Sequence, residues 1–181
     1  VTNIGNARSL GGYGPANATS VLSGATLDLR DADLNIGDDA STSREVIRIA
    51  GTGVLGMGAL RNTTGTGTLS LLELSANASV GGNNRIDLSG FDTDVSPGID
   101  LTRPTITGGG FDLTKVGSND FVLNEAVLSN LGKLIVSEGE LRSETRAQFP
   151  FVLNASTTNP IGIGDSGLPT PLSSYPHTLL S

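Results

Sequence analysis

Thr68-Leu69-Ser70-Leu71 alternates polar and apolar residues, and the same pattern recurs along most of the chain. Upstream stand Val46-Ile47-Arg48-Ile49 and Thr26-Leu27-Asp28-Leu29; downstream stand Arg85-Ile86-Asp87-Leu88, Asp112-Leu113-Thr114-Lys115 and Lys133-Leu134-Ile135-Val136. Alternation at period two sends one side chain inward and the next outward on a strand. With Leu27, Ile47, Leu69, Leu88, Leu113 and Leu134 as markers, the runs return about every 20 residues, occasionally about every 25. Shorter apolar runs fall between the markers: Leu34 with Ile36, Leu72 with Leu74, Phe121 with Leu123, and Leu141. Two or three strands per repeat of that length predict an all-β chain, a right-handed parallel β-helix (β-solenoid) with irregular terminal segments.

The joints agree with that expectation. Gly24, Gly37, Gly51, Gly53, Gly67, Gly81, Gly82, Gly90, Gly117 and Gly139 lie at or beside the run ends, with Asn, Asp, Ser and Thr for company. Sharp turns call for such residues. From Glu125 to Glu144, Ala126, Leu128, Leu131 and Leu134 also fit a helical spacing. Gly132, Gly139 and the β-branched Ile135-Val136 pair favour strand there.

Composition narrows the architecture and the function together. Hydrophobic residues make up 36% of the chain but aromatic ones only 4%, and Trp is absent, so Leu, Ile, Val and Ala must fill a thin core. Each turn of a solenoid buries its apolar face only against its neighbours. The net charge of −7, with Lys115 and Lys133 as the two lysines, excludes the clustered cations that a nucleic-acid partner requires. No stretch has the apolar length of a membrane span. With no cysteine there are no disulfides and no thiolate chemistry. The chain opens at Val1 without a signal-like segment, as expected of a processed product or an excised piece. Residues 1–149 are expected to form the solenoid. Residues 150–181 hold five prolines and form a Pro/Gly-rich tail, expected to cap the last turn or contact a neighbouring chain.

The run Gly108 to Ser143 resembles the autotransporter-associated β-strand repeat. Leu113-Thr114-Lys115-Val116-Gly117 and Gly139-Glu140-Leu141 match its two ends. Asn119-Asp120 replaces its usual Gly-Thr, and its Asn-x-Tyr-x-Gly-Gly-Thr turn is missing. Gly51 to Gly90 resembles the segment that often precedes such a repeat, through Gly58-Ala59-Leu60-Arg61-Asn62 and Leu72-Glu73-Leu74-Ser75-Ala76-Asn77-Ala78. The two stretches cover under half the chain. The resemblance implies a β-helical passenger of a bacterial surface protein and says almost nothing about activity.

Candidate chemistry is thin, and no catalytic residue is assigned. A β-helix hydrolase needs two or three carboxylates about a scissile bond. Asp38-Asp39 is the one adjacent Asp pair, without a Gly-His-Gly or Arg-Ile-Lys companion. Asp28, Asp31, Asp33, Asp38 and Asp39 crowd one region, and Asp92, Asp94 and Asp100 another. They are the calcium candidates, since alternating oxygen ligands suit Ca²⁺. The calcium-binding nonapeptide pattern fails after Gly81-Gly82, so a solvated outward Asp is the default role. His177 stands alone and makes no metal site. Asn17, Asn62, Asn77 and Asn154 open glycosylation sequons that arise readily in a Ser/Thr-rich chain. The expected function is a non-enzymatic extracellular or cell-surface element, a stalk, adhesin or self-assembling filament. Its partners are copies of itself or adjoining segments, and glycans. A carbohydrate-active β-helix enzyme or polysaccharide-binding module is the alternative.

Overall fold

The computed structural model describes residues 1–4, 7–12, 15–35, 44–90 and 103–144. Asp38, Asp39, Asp92, Asp94, Asp100, Asn154, His177 and the tail 150–181 lie outside them. Among the described residues, fourteen strands carry the fold. They are β1 (Thr2–Asn3), β2 (Thr19–Val21), β3 (Leu27–Asp28), β4 (Val46–Gly51), β5 (Leu60–Asn62), β6 (Gly67–Leu69) and β7 (Leu71–Gly82). The rest are β8 (Ile86–Leu88), β9 (Thr105–Thr107), β10 (Leu113–Lys115), β11 (Asp120–Asn124), β12 (Val127–Ser129), β13 (Leu134–Val136) and β14 (Glu140–Glu144). The helical structure described consists of three short 3-10 turns, Ala7–Leu10, Pro15–Asn17 and Val54–Gly56. Among the described residues no helix is long and apolar enough to cross a membrane.

Every described strand pair is parallel, and the pairs form three ladders. The first runs β2, β4, the start of β7, β9 and β12. The second runs β1, β3, β5, the end of β7, β10 and β13. The third runs β6, β8, β11 and β14. The first two share one sheet because β7 passes through both; no glycine interrupts it before Gly81, and Ser75-Ala76-Asn77 are small enough to bend. From β4 onward the chain visits the ladders in a fixed order, first, second, third, four times over.

Parallel register stacks like residues into columns. Ile47, Leu72, Ile106 and Leu128 form one in the first ladder. Ile86, Phe121 and Leu141 form another in the third, beside Leu69, Leu88 and Leu123. All are buried, and Phe121 is the one buried aromatic among the described residues. Each fully buried aliphatic side chain contributes about 1.5–3 kcal/mol. Between columns the alternate residues face outward, as in the Arg48–Glu73 pair at 2.7 Å across β4 and β7. The ambiguous segment 125–144 is three strands, as its β-branched residues favoured.

The repeat is less regular than the marker spacing suggested. In the second ladder Leu60 lies beside Val80, twenty residues on, and Leu113 beside Leu134, 21 residues on. Leu27, however, meets Leu60, 33 residues away, and Leu113 meets Ala78, 35 residues back. The long intervals contain residues 36–43 and 91–102, which lie outside the described residues. Of the six markers, only Leu69 with Leu88 and Leu113 with Leu134 are register partners.

Candidate functional site

The chemistry-bearing residues gather where the chain passes from the second ladder to the third. Asn62, Gly82, Gly117 and Gly139 occupy this corner in successive rungs. The three glycines have positive φ, +116°, +75° and +69°. A Cβ on any of them would lie under 3.0 Å from a backbone oxygen of the rung before, that of Asn62, Gly82 and Gly117 in turn. Only glycine permits this close stacking at a left-handed turn. Asn62, fully buried, is a hub: its Nδ2 donates to the Gly65 and Arg85 carbonyls at 3.0 and 2.7 Å, and its Oδ1 accepts from the Asp31 amide. That commitment removes Asn62 as a glycosylation acceptor.

One rung further on, the inward column Leu27, Leu60, Val80 continues not with an aliphatic residue but with Lys115. Its side chain is 0% exposed. The stem fills the core position, and Nζ donates to the carbonyls of Val116 (2.9 Å), Gly117 (2.8 Å) and Glu138 (3.2 Å) at the corner. Three donors meet three acceptors, which is the arrangement a buried ammonium requires. Burial pulls its pKa down to about 8, against the opposing pull of Asp120 and Glu138.

Outside the same corner lies an open cleft of about 590 Å³. Gly82 and Gly117 form its floor because they carry no side chains. Leu55, Met57 and Arg61 stand at one end, Ser118 and Glu138 at the other. Leu55 is 89% exposed and holds a left-handed conformation, φ 55°, within a tight loop. The loop is fastened from inside. Buried Thr26 donates through Oγ1 to the Gly58 carbonyl at 2.9 Å and accepts from the Val54 amide at 2.8 Å. The Gly58 amide also donates to the Thr52 carbonyl. A strained, exposed leucine on an anchored loop was not among the sequence candidates; an isolated apolar residue among glycines gave no signal.

The acidic candidates take separate parts. Asp28 is not a solvated outward residue: it is 2% exposed and its oxygens accept from Arg61 Nε (3.0 Å), Thr63 Oγ1 (2.8 Å) and the Thr63 amide (3.2 Å). Those donors come from the next rung, and so could not be read from local alternation. Asp31 lies over Gly65, and Asp33 Oδ1 accepts from the Asn35 amide at 2.9 Å. Among the described residues no three of His, Cys, Asp and Glu gather at a metal-binding distance. The cleft lining holds a single carboxylate, Glu138.

A buried acid outside the candidate set also stands out. Glu45 is almost fully buried; Thr19 Oγ1 donates to its Oε1 at 2.6 Å, and among the described residues its Oε2 has no partner. Burial raises its pKa above the ordinary 4.5, opposed by the Thr19 bonds. The folded chain therefore holds the Glu45 proton more tightly than the unfolded chain. The stability it supplies is complete below pH 4.5 and is lost as pH rises through the folded value. Glu45→Gln is expected to raise the melting temperature more at pH 7 than at pH 4, which thermal melts at the two pH values will check.

No protein family, curated protein or solved structure matches the chain.

Proposed function

We propose that this chain is a segment of an extracellular, non-enzymatic structural or adhesive element, folded as a right-handed parallel β-solenoid. The observation that carries the proposal is the fixed cycle of three parallel ladders with inward residues stacked in columns. A chain that advances one strand spacing per cycle meets those pairings with short connections. The right-handed sense follows from the twist preference of parallel crossovers. Such a body is rigid, presents a long regular surface and spends its residues on stacking rather than on a reaction centre.

The resemblance to the autotransporter-associated repeat supports the same reading. Its two ends here, Leu113 to Gly117 and Gly139 to Leu141, meet across adjacent rungs. Lys115 Nζ bonds the Glu138 carbonyl, and Gly139 stacks on Gly117. The matched residues are thus those that fix one rung upon the next, which suits a motif of architecture rather than catalysis. A single-carboxylate cleft likewise lacks the pair that glycoside hydrolysis uses.

Electron microscopy of the purified chain at several concentrations, with and without calcium, tests the proposal alongside a reducing-end assay on pectate, xylan and chitin. Rods or filaments with a repeat of about 4.8 Å along the stacking direction, and no sugar release, are expected. Turnover of any of these polymers, or particles lacking that repeat, overturns it.

A further inference from the structure

We propose that the corner where the third ladder passes into the first binds a monovalent metal cation, such as sodium, on Glu45, Asn35 and Ser70. Register brings the three together. Asp33 bridges to Thr68, and the Leu34 amide donates to the Thr68 carbonyl, so Asn35 comes beside Ser70. Val46 is the partner of Leu71, so Glu45 comes beside Ser70 from the other ladder. Ser70 is the single residue between β6 and β7, and each of these neighbours lies one strand spacing, about 4.8 Å, from it. Glu45 and Ser70 stand two residues before Ile47 and Leu72, hence on the same inward side of their strands. All three are buried: Glu45 and Ser70 are 1% exposed and Asn35 is 5% exposed.

Each contributes an oxygen without a partner among the described residues: Glu45 Oε2, Asn35 Oδ1 and Ser70 Oγ. Three of the four such side-chain atoms among the described residues thus share one corner. The Asn35 amide is oriented by its own bond. Its Nδ2 donates to the Ser89 carbonyl at 2.9 Å, reaching past Ser70 to the next rung, which leaves Oδ1 as the unpartnered acceptor. Charge decides between a cation and a water molecule. Thr19 Oγ1 donates to Glu45 Oε1 at 2.6 Å, within the range of a hydroxyl on an ionised carboxylate. Among the described residues no cation pairs with that carboxylate, and the neighbouring Arg44 turns to the Arg103 carbonyl at 3.5 Å. A buried carboxylate is held by a counter-charge or a metal. A water molecule would satisfy the hydrogen bonds and leave the charge. The donor set is all oxygen, which suits a hard cation. One carboxylate balances one positive charge, and among the described residues no three of His, Cys, Asp and Glu gather to carry a second.

Thermal melts at pH 7 in sodium chloride, choline chloride and calcium chloride of equal ionic strength test the proposal, since choline is too large for a buried corner. Against choline, sodium at ten times its dissociation constant is expected to raise the melting temperature of the native chain by roughly 3–5 °C. Glu45→Gln should lose that difference, so its gain at pH 7 is full in choline and shrinks in sodium. Ser70→Ala should lose most of the difference too, although removing a hydroxyl with no partner would by itself cost nothing. Sodium NMR gives a direct reading: the native chain should broaden the sodium line and Glu45→Gln should not. Circular dichroism of each variant confirms that the fold is kept. Equal melting temperatures in sodium and choline, or a sodium effect that survives Glu45→Gln, overturns the proposal. A Ser70→Ala loss of the same size in every salt reports a bridging water, and a calcium response without a sodium response reports a divalent site; either overturns the monovalent assignment.

Discussion

Lys115→Met is expected to destabilise the protein by about 2–4 kcal/mol, the cost of leaving several buried carbonyls without a donor. That corresponds to a drop of roughly 4–16 °C in melting temperature for a chain of this size. Methionine matches the lysine stem and suits the column formed by Leu27, Leu60 and Val80, so the loss isolates the ammonium. Exchanging a whole buried polar set for apolar groups can be neutral, but here only one side of the set changes. The carbonyls of Val116, Gly117 and Glu138 remain at the corner. Lys133→Met provides the control: Lys133 is exposed, and its replacement should stay within about 0.5 kcal/mol. Urea titration of the three proteins side by side separates these outcomes; equal midpoints would mean that the Lys115 bonds contribute nothing net.

The same lysine gives the protein an alkaline signature. Its folded pKa, near 8, lies below the ordinary 10.5 because burial disfavours the charge. Between those values the unfolded chain holds more protons than the folded one, so this group makes stability rise with pH across the window. Lys115→Met lacks that contribution. The gap between native and variant should therefore widen from pH 8 to pH 10.5, when melts are compared at matched ionic strength.

Lys115 also shows how far the sequence could be read. Its parity was visible: Leu113 and Lys115 are two apart, hence on one side of a strand. Charge argued for an outward place, and nothing local revealed three carbonyls from two turns waiting at the corner. Asp28 fails in the opposite sense. Alternation correctly sent it outward, but its burial comes from Arg61 and Thr63, over thirty residues away. Period two reports inside against outside for each strand and is silent about which ladder the strand joins. Leu27, Ile47 and Leu69 read as equivalent markers, yet they belong to the second, first and third ladders. The strands and the parallel class were legible because they follow from local alternation and from thin-core composition. The cleft was not, because it exists only once four rungs are stacked and the glycines of two of them form its floor.

Those glycines set the other large effect. Gly117→Ala is expected to cost about 3–5 kcal/mol, where Gly24→Ala costs about 1–2, combining a left-handed backbone penalty with overpacking in the first case only. Both residues have positive φ, +75° and +83°. A Cβ at Gly24 meets nothing within 4 Å, whereas one at Gly117 strikes the backbone oxygen, nitrogen and carbon of Gly82. Backbone cannot yield as a flexible side chain can, so relief requires the rungs of β7 and β10 to move apart. Gly117 itself supplies one of the carbonyls that hold Lys115 Nζ, so a shift of its backbone disturbs that bond as well. Non-additivity follows: the double variant Gly117→Ala, Lys115→Met should lose less than the two single losses combined, because residues sharing one network couple. A double-mutant cycle by urea denaturation measures it. Simple additivity would mean that the glycine stack and the lysine cradle hold the corner independently, and that the rungs are tied at two places rather than one.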